Sequence, residues 1–250
     1  MTARTHRGQG WHHHCLIHLE ATMTTGARRL GALAAVAACC AGCASWGKQE
    51  KGAVIGAAGG AVLGGAIGHA TGSTARGAII GAAVGGAAGA IIGRRMDRQA
   101  EELVRELPPG TRVSRVGEGI AVTFESGILF PFDSDALRAE ARDNLRALAE
   151  SLRENARTDV LIVGHTDATG RDDYNLELSR RRARAAADFL SAQGVARGRL
   201  RTEGRGESEP IAPNESEADR QLNRRVEVAI YANEQWREEA RREAASAALR

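Results

Sequence analysis

The fold of this chain is decided by residues 159–183, which read DVLIVGHTDATGRDDYNLELSRRRA. The stretch opens with apolar residues, many of them β-branched, and this pattern is typical of a buried strand. The chain then turns at Gly170, and Asp172 or Asp173 can cap a helix that continues to about residue 192. We therefore predict a strand whose end lies beside the start of a helix.

Two charged side chains occupy this junction. Asp167 follows the end of the predicted strand, and Arg182 lies two to three turns into the helix. A carboxylate binds an ammonium group, and a guanidinium binds a carboxylate through parallel, charge-assisted hydrogen bonds. The pair can therefore hold a zwitterionic ligand. A structural ion pair, or two solvated surface charges, would use the same residues.

The pattern T-D-x-x-G-x-x-x-x-N-x-x-L-S-x-x-R-A occupies residues 166–183 and resembles the signature of OmpA-like peptidoglycan-binding domains. Two further motifs follow in the order of that family, GRGE at 204–207 and NRRVEV at 223–228. The resemblance covers residues 112–232, about half of the chain. It implies an OmpA C-terminal-like domain that binds the diaminopimelate residue of peptidoglycan stem peptides without a covalent bond.

The resemblance also implies which residues hold the ligand. Asp167 and Arg182 are expected to bind its charged groups. The other expected ligand-binding residues match the family motif or the edge of its groove: Thr166, Asn175, Leu178, Arg225, Phe132 and Asp133. Asn175 can hydrogen-bond the ligand or fix the start of the helix, and Leu178 is expected to pack beneath the ligand.

Catalysis is the competing class of function. Strand alternation is expected to place His165 and Asp167 on the same face, where they could act as an acid–base pair or as metal ligands. No third ligand follows at a suitable spacing, and no Gly-x-Ser-x-Gly nucleophile motif occurs. We therefore predict no catalytic residue, no metal and no cofactor, and we predict that the protein is not an enzyme.

The composition restricts the remaining classes. Of the 250 residues 43% are hydrophobic but only 4% are aromatic, and 30 are glycine, so a large core cannot fill the whole length. A formal net charge of +3 does not favour nucleic acid as a partner. All four cysteines lie within the first 43 residues, so the folded part has no disulfide framework.

Residues 1–42 are interpreted as a secretory signal, with 1–22 as an upstream extension of the start, because two arginines precede a short apolar run. Ala-Gly-Cys at 41–43 resembles a bacterial lipobox, which would make Cys43 the lipidated first residue. Cys39 is a competing match, and an ordinary cleaved signal is the alternative. The residue after Cys43 is Ala44 rather than Asp, and in this respect the chain resembles lipoproteins that are sorted to the outer membrane. We expect the periplasmic face of the outer membrane in a Gram-negative bacterium, with 43–51 as the anchor linker.

An internal repeat fills residues 52–93. Glycine occurs at every fourth position from Gly52 to Gly68, and again from Gly77 to Gly93. This spacing lines one helix face and lets another backbone approach closely, as in membrane helices. We predict a hairpin of two glycine-zipper helices that either enters the membrane or self-associates into a homo-oligomer at its surface. A flexible Gly/Ala linker is the alternative.

The rest of the chain is predicted from periodicity and from turn residues. Residues 94–111 are predicted as a helical linker, which the Pro-Pro-Gly at 108–110 separates from the next domain. Residues 112–232 are predicted as an α/β fold, a two-layer α+β sandwich with two helices on one face of a sheet. Ser134 can cap the first of these helices, which is predicted from about residue 135 to 155 with a stripe of leucines on its buried side. We expect 205–223 to be a polar surface loop and 233–250 to be a charged, solvent-exposed helical tail.

These features together predict an outer-membrane lipoprotein that binds peptidoglycan through diaminopimelate and tethers the outer membrane to the cell wall. The membrane is the second expected partner, through the lipid anchor and the glycine-zipper hairpin. The alternative is a membrane or oligomerisation protein built on the glycine zipper, whose C-terminal domain is mainly an interaction scaffold.

Overall fold

A computed structural model describes residues 72–131 and 133–249. The predicted signal, Cys43, the first glycine repeat and Phe132 lie outside these residues. The helices are α1 Thr74–Gly81, α2 Gly86–Glu106, α3 Ser126–Leu129, α4 Ala139–Glu154, α5 Asp172–Ala192, α6 Glu217–Asn223 and α7 Glu234–Ala248. The strands are β1 Thr111–Val116, β2 Gly119–Glu125, β3 Thr158–Gly164, β4 Leu200–Gly204 and β5 Arg225–Ala232.

The five strands form one mixed sheet in the order β1-β2-β5-β3-β4. Among the strands of the described residues, only β3 and β4 pair in parallel, and α5 connects them, because a parallel pair needs a crossover. The hairpin of β1 and β2 turns at Gly117, whose φ of 52° favours glycine. The predicted α/β fold is confirmed.

Both predicted helices pack on one face of the sheet. Leu145, Leu148 and Leu152 of α4 are fully buried in the main core, together with the apolar face of α5. Helix α4 begins at Ala139 rather than near residue 135, because Ser134 accepts a hydrogen bond from the Ala136 amide in a turn outside the helix. The amphipathic stripe is therefore correct, and the first turn of the helix is not.

Helices α2 and α7 belong to the same core, which differs from the predicted linker and tail. Ile92, Met96 and Leu103 of α2 are fully buried, since their spacing of four and seven residues lines one helix face. Trp236 of α7 is also buried, and the Arg157 guanidinium lies 5.2 Å from its ring centroid. The Pro-Pro-Gly at 108–110 is thus a turn between α2 and β1, not a boundary beside a linker.

The opposite face of the sheet is covered by α1. Ala75, Ala78 and Ile79 pack there against side chains of β2, β3 and β5. The contact is close: a Cβ on Gly119 would lie 2.5 Å from Ile79 Cγ2. At the start of the helix, Ser73 Oγ donates a hydrogen bond of 2.6 Å to Glu227 Oε2.

The second glycine repeat is not one continuous helix. The chain leaves the helix after Gly81 and begins α2 at Gly86, and both Gly85 and Gly86 have positive φ, at 70° and 61°. The Glu118 carboxylate accepts hydrogen bonds of 2.8 and 2.7 Å from the Val84 and Gly85 amides. These tertiary contacts outweigh the helical period of the glycines. Within the described residues, no helix combines the length and the apolar character that a membrane span requires.

Candidate ligand-binding groove

A groove with a volume of about 710 Å³ opens at the carboxyl end of β3. Ligands of open α/β sheets commonly bind at this end of a strand. Six of the eight predicted ligand-binding residues line the groove: Thr166, Asp167, Asn175, Leu178, Arg182 and Asp133. The structure therefore brings these six residues together in one groove.

Asp167 lies in the loop that follows β3, and both of its carboxylate oxygens are engaged. Oδ1 accepts a hydrogen bond of 2.9 Å from the Thr169 amide. Oδ2 accepts one of 2.6 Å from Nη1 of Arg224, which forms an ion pair. The side chain is only 9% exposed, so this pair is shielded from water.

Arg182 reaches the groove from α5. Its Nε donates a hydrogen bond of 2.9 Å to the carbonyl oxygen of Ser134, and its guanidinium lies 5.4 Å from the centroid of the Phe130 ring. Burial lowers the pKa of this guanidinium, although arginine stays charged in proteins. Among the described residues, no carboxylate forms an ion pair with Arg182. Its terminal nitrogens are thus available to a ligand carboxylate.

Asn175 fixes the loop that carries Asp167. Its Nδ2 donates to the carbonyl oxygens of Asp167 and Thr169, at 3.3 and 3.1 Å, and to Glu207 Oε2 at 2.7 Å. Of the two roles that the sequence left open, this geometry favours fixing the backbone. Leu178, one turn further along α5, is 5% exposed and forms part of the groove wall.

Thr166 and Asp133 are placed differently within the groove. Thr166 is buried, and its Oγ1 has no hydrogen-bond partner among the described residues. Asp133 stands at the rim with a φ of 51° and accepts a hydrogen bond of 2.5 Å from the Tyr174 hydroxyl. This hydrogen bond raises the pKa of Tyr174.

Arg225 does not reach the groove, which corrects the sequence prediction. It is 1% exposed and points to the other side of the sheet, where its Nε donates a hydrogen bond of 2.7 Å to Glu227 Oε1. Neighbouring side chains of a strand point to opposite faces, so the adjacent Arg224 lies in the groove instead. Two consecutive arginines in the motif made this one-residue error possible.

His165 is also turned away from the groove, although alternation predicted the same face for it and Asp167. Strand β3 ends at Gly164, so alternation does not continue past it. His165 Nε2 lies 4.0 Å from Glu227 Oε1, and burial together with the charge of Arg225 lowers the pKa of this imidazole to about 3. It is therefore neutral at physiological pH. The described residues contain no group of three His, Cys, Asp or Glu side chains suited to a metal ion.

The rim contains residues that the sequence prediction missed. Helix α6 interrupts the predicted loop at 205–223 and brings Glu217, Arg220 and Gln221 to the groove. A capping box between Ser216 and Asp219 begins this helix. A Ser followed three residues later by an acidic residue is a pattern from which the start of this helix could have been predicted. Arg224 also contacts Glu217, so the rim and Asp167 belong to one charged network.

Two family models match the chain. The OmpA family model matches residues 129–224, which include α4, α5 and the whole groove loop after β3. A YMGG-like Gly-zipper model matches residues 23–97, which include the glycine repeat. Among solved structures, a MotB-like protein from Desulfovibrio vulgaris is similar in fold, with a TM-score of 0.52 and 23% identity over 58% of this chain and 95% of that one.

Two curated relatives each match about half of this chain. "Probable lipoprotein YiaD" of Escherichia coli is 36% identical over 121 residues, which is 48% of this chain and 55% of that protein. The peptidoglycan-associated lipoprotein of Brucella melitensis is 32% identical over 124 residues, which is 50% of this chain and 74% of that protein. The chain spans 55% of the length of YiaD and 35% of that of the outer membrane porin F of Pseudomonas fluorescens. The match to the OmpA family model and the 32% identity over 74% of the Brucella melitensis lipoprotein agree with the ordered motifs and the groove geometry. The chain therefore belongs to the OmpA family.

Proposed function

We propose that this protein is an outer-membrane lipoprotein that binds peptidoglycan through the diaminopimelate of its stem peptides and so tethers the outer membrane to the cell wall. Membership of the OmpA family supports peptidoglycan binding in the cell envelope. The names of the relatives, which include lipoproteins and outer membrane proteins of Gram-negative bacteria, support this location.

The observation that carries the proposal is the position of Arg182. It is 4% exposed, held by Ser134 and Phe130, and it leaves its terminal nitrogens towards the groove. A guanidinium that is already fixed loses little conformational entropy when it binds a carboxylate in two-pronged geometry. Arg182 therefore supplies the carboxylate end of the site.

The ammonium end is Asp167, which a ligand would share with Arg224. The Asp167 carboxylate already accepts a hydrogen bond of 2.6 Å from Arg224. Arg224 can keep its contact with Glu217 when a ligand ammonium approaches Asp167. The groove lining contains four arginines and three carboxylates, so it suits a ligand with more acidic than basic groups. A stem peptide with a free diaminopimelate end has this character.

Weak binding is sufficient for a tether. A hydrogen bond to a charged group contributes about 1.5–3 kcal/mol net, so two such contacts with some burial predict roughly millimolar to micromolar affinity. Lipidation at Cys43 would hold many copies near the wall, and a high effective concentration then strengthens attachment. We propose binding rather than catalysis, because His165 faces away from the groove and the groove carboxylates are engaged in ion pairs or hydrogen bonds.

Co-sedimentation of the full chain with purified peptidoglycan sacculi tests the proposal. Asp167→Asn should abolish sedimentation, because it removes the charge that faces the ammonium group. Asp188→Asn, an exposed carboxylate on the same helix as Arg182, is the matched control and should sediment normally. Free diaminopimelate should compete, whereas cadaverine, which has both ammonium groups but neither carboxylate, should not. Normal sedimentation of the Asp167→Asn protein contradicts the assignment.

A further inference from the structure

A second charged site lies between α2 and α7. It is a cavity of about 260 Å³ whose lining includes Arg94, Arg95, Arg98 and Arg157. Two glutamates, Glu239 and Glu243, also line it, which leaves an excess of positive charge. None of these residues lies in the three OmpA-like motifs or in the lining of the groove.

The four arginines differ in how they are held. Arg157 is paired with Glu239 at 2.5 Å and lies over the ring of Trp236, so its position is fixed. Arg94, Arg95 and Arg98 are exposed on α2, and within the part of the chain that the structure describes none of them forms an ion pair or a side-chain hydrogen bond. Residues three and four positions apart are neighbours on a helix surface, so Arg98 lies beside both Arg95 and Arg94. Three guanidinium groups that form no ion pair within the described residues therefore share one surface.

This surface is at the opposite end of the sheet from the groove. Arg157 directly precedes the first residue of β3, whereas Thr166 and Asp167 follow its last residue. The antiparallel neighbour β5 connects the same two ends of the sheet. Arg224, which lines the groove, precedes this strand, and Trp236, which lines the cavity, follows it. At about 3.3 Å per residue, a strand of this length separates the two ends by roughly 20 Å.

We propose that Arg94, Arg95 and Arg98 bind the phosphate groups of an anionic lipid surface, so that the domain lies with one end on the membrane and the groove facing away from it. The planar guanidinium matches phosphate oxygens in two-pronged geometry. A membrane surface is the occupant that fits a spread of three exposed charges around a shallow cavity, because it presents many phosphates at once.

Vesicle binding by the full chain, with Cys39 and Cys43 replaced by Ser to prevent lipidation, tests the proposal. The protein should bind vesicles of phosphatidylcholine with one-third phosphatidylglycerol more tightly than pure phosphatidylcholine vesicles. Each arginine near an anionic surface strengthens binding roughly fivefold, so replacing Arg94, Arg95 and Arg98 with Ala should weaken it on the order of a hundredfold. Binding to sacculi should not change, which separates this site from the groove.

The control removes the same charge elsewhere. Arg142, Arg146 and Arg184 are exposed on α4 and α5, and their triple alanine variant should keep near-normal vesicle binding. Equal loss in the two triple variants would show a net-charge effect and overturn the proposal, as would equal binding of the parent protein to both vesicle types. Competition by millimolar inorganic phosphate would overturn it too, because the site would then bind a soluble anion.

Discussion

The replacement of Arg182 by Lys is the sharpest test of how the groove recognises its ligand. Lysine keeps the positive charge but lacks the flat, two-pronged donor that we assign to the ligand carboxylate. Lysine also lacks the Nε atom, which in Arg182 donates a hydrogen bond of 2.9 Å to the Ser134 carbonyl oxygen. The substitution therefore separates charge from geometry at a single position.

The expected size of the effect comes from these contacts. A hydrogen bond to a charged group contributes about 1.5–3 kcal/mol, so the loss of one ligand contact should weaken diaminopimelate binding roughly 10- to 150-fold. Loss of the Ser134 hydrogen bond should lower the free energy of unfolding by about 1 kcal/mol, because lysine can still lie over Phe130. Isothermal titration calorimetry measures the first quantity, and urea denaturation of the same preparation measures the second.

A matched substitution makes the result decisive. Arg184→Lys lies two residues further along α5 and is exposed, so it should change neither quantity. Unchanged diaminopimelate affinity in the Arg182→Lys protein would refute two-pronged recognition and leave only a general charge effect. A loss of affinity with no loss of stability would show that Ser134 does not hold Arg182.

Three other regions give independent predictions. Asn175→Ala should weaken sacculus binding about tenfold or more in co-sedimentation, because the loop that carries Asp167 loses two hydrogen bonds and Glu207 loses a third. Gly119→Ala should destabilise the fold by about 1–3 kcal/mol in urea denaturation, since its Cβ would meet Ile79 Cγ2 at 2.5 Å and the Ile230 carbonyl oxygen at 2.6 Å. His165 should make the protein less stable below pH 6.5: its folded pKa is about 3, so the unfolded chain binds the extra proton, and the loss reaches about 2 kcal/mol by pH 5.

Each of these has its own control. Gly198→Ala, where a Cβ would meet nothing within 4 Å, should leave stability unchanged, and equal effects at both glycines would contradict the close packing of α1. For the imidazole, the free energy of unfolding is compared at pH 5 and pH 7.5 with that of a His165→Leu variant, whose pH dependence should be shallower. Parallel curves would show that this residue is not the source. For Asn175, normal sedimentation would remove its assigned role.

The sequence predicted the elements whose patterns are local. The apolar run before Gly164 and the repeated leucines of α4 each specify a face to be buried, and both elements formed as expected. The motif also brought Asp167 and Arg182 to one groove. Short-range periodicity is enough for such features, because a strand or an amphipathic helix has only one way to bury its apolar side.

The errors come from contacts between residues far apart in the chain. Glycine spacing predicted one helix across residues 77–93, but Glu118, far along the chain, binds the backbone where that helix breaks. The side of the sheet that Arg225 faces depends on where β5 begins, and a shift of one residue exchanges it with Arg224. Local composition predicts neither the register of a strand nor a contact with a carboxylate far along the chain.

The docking of α1 determines how the folded part would carry a mechanical load. A pull from the upstream chain first meets Ser73 and Thr74, which bond to Glu227 and Glu209. Glu227 is three residues from Arg224, the partner of Asp167 in the groove. Tension between an anchor and a ligand would thus cross a few residues at one end of the sheet, and most of the hydrophobic core would bear none of it.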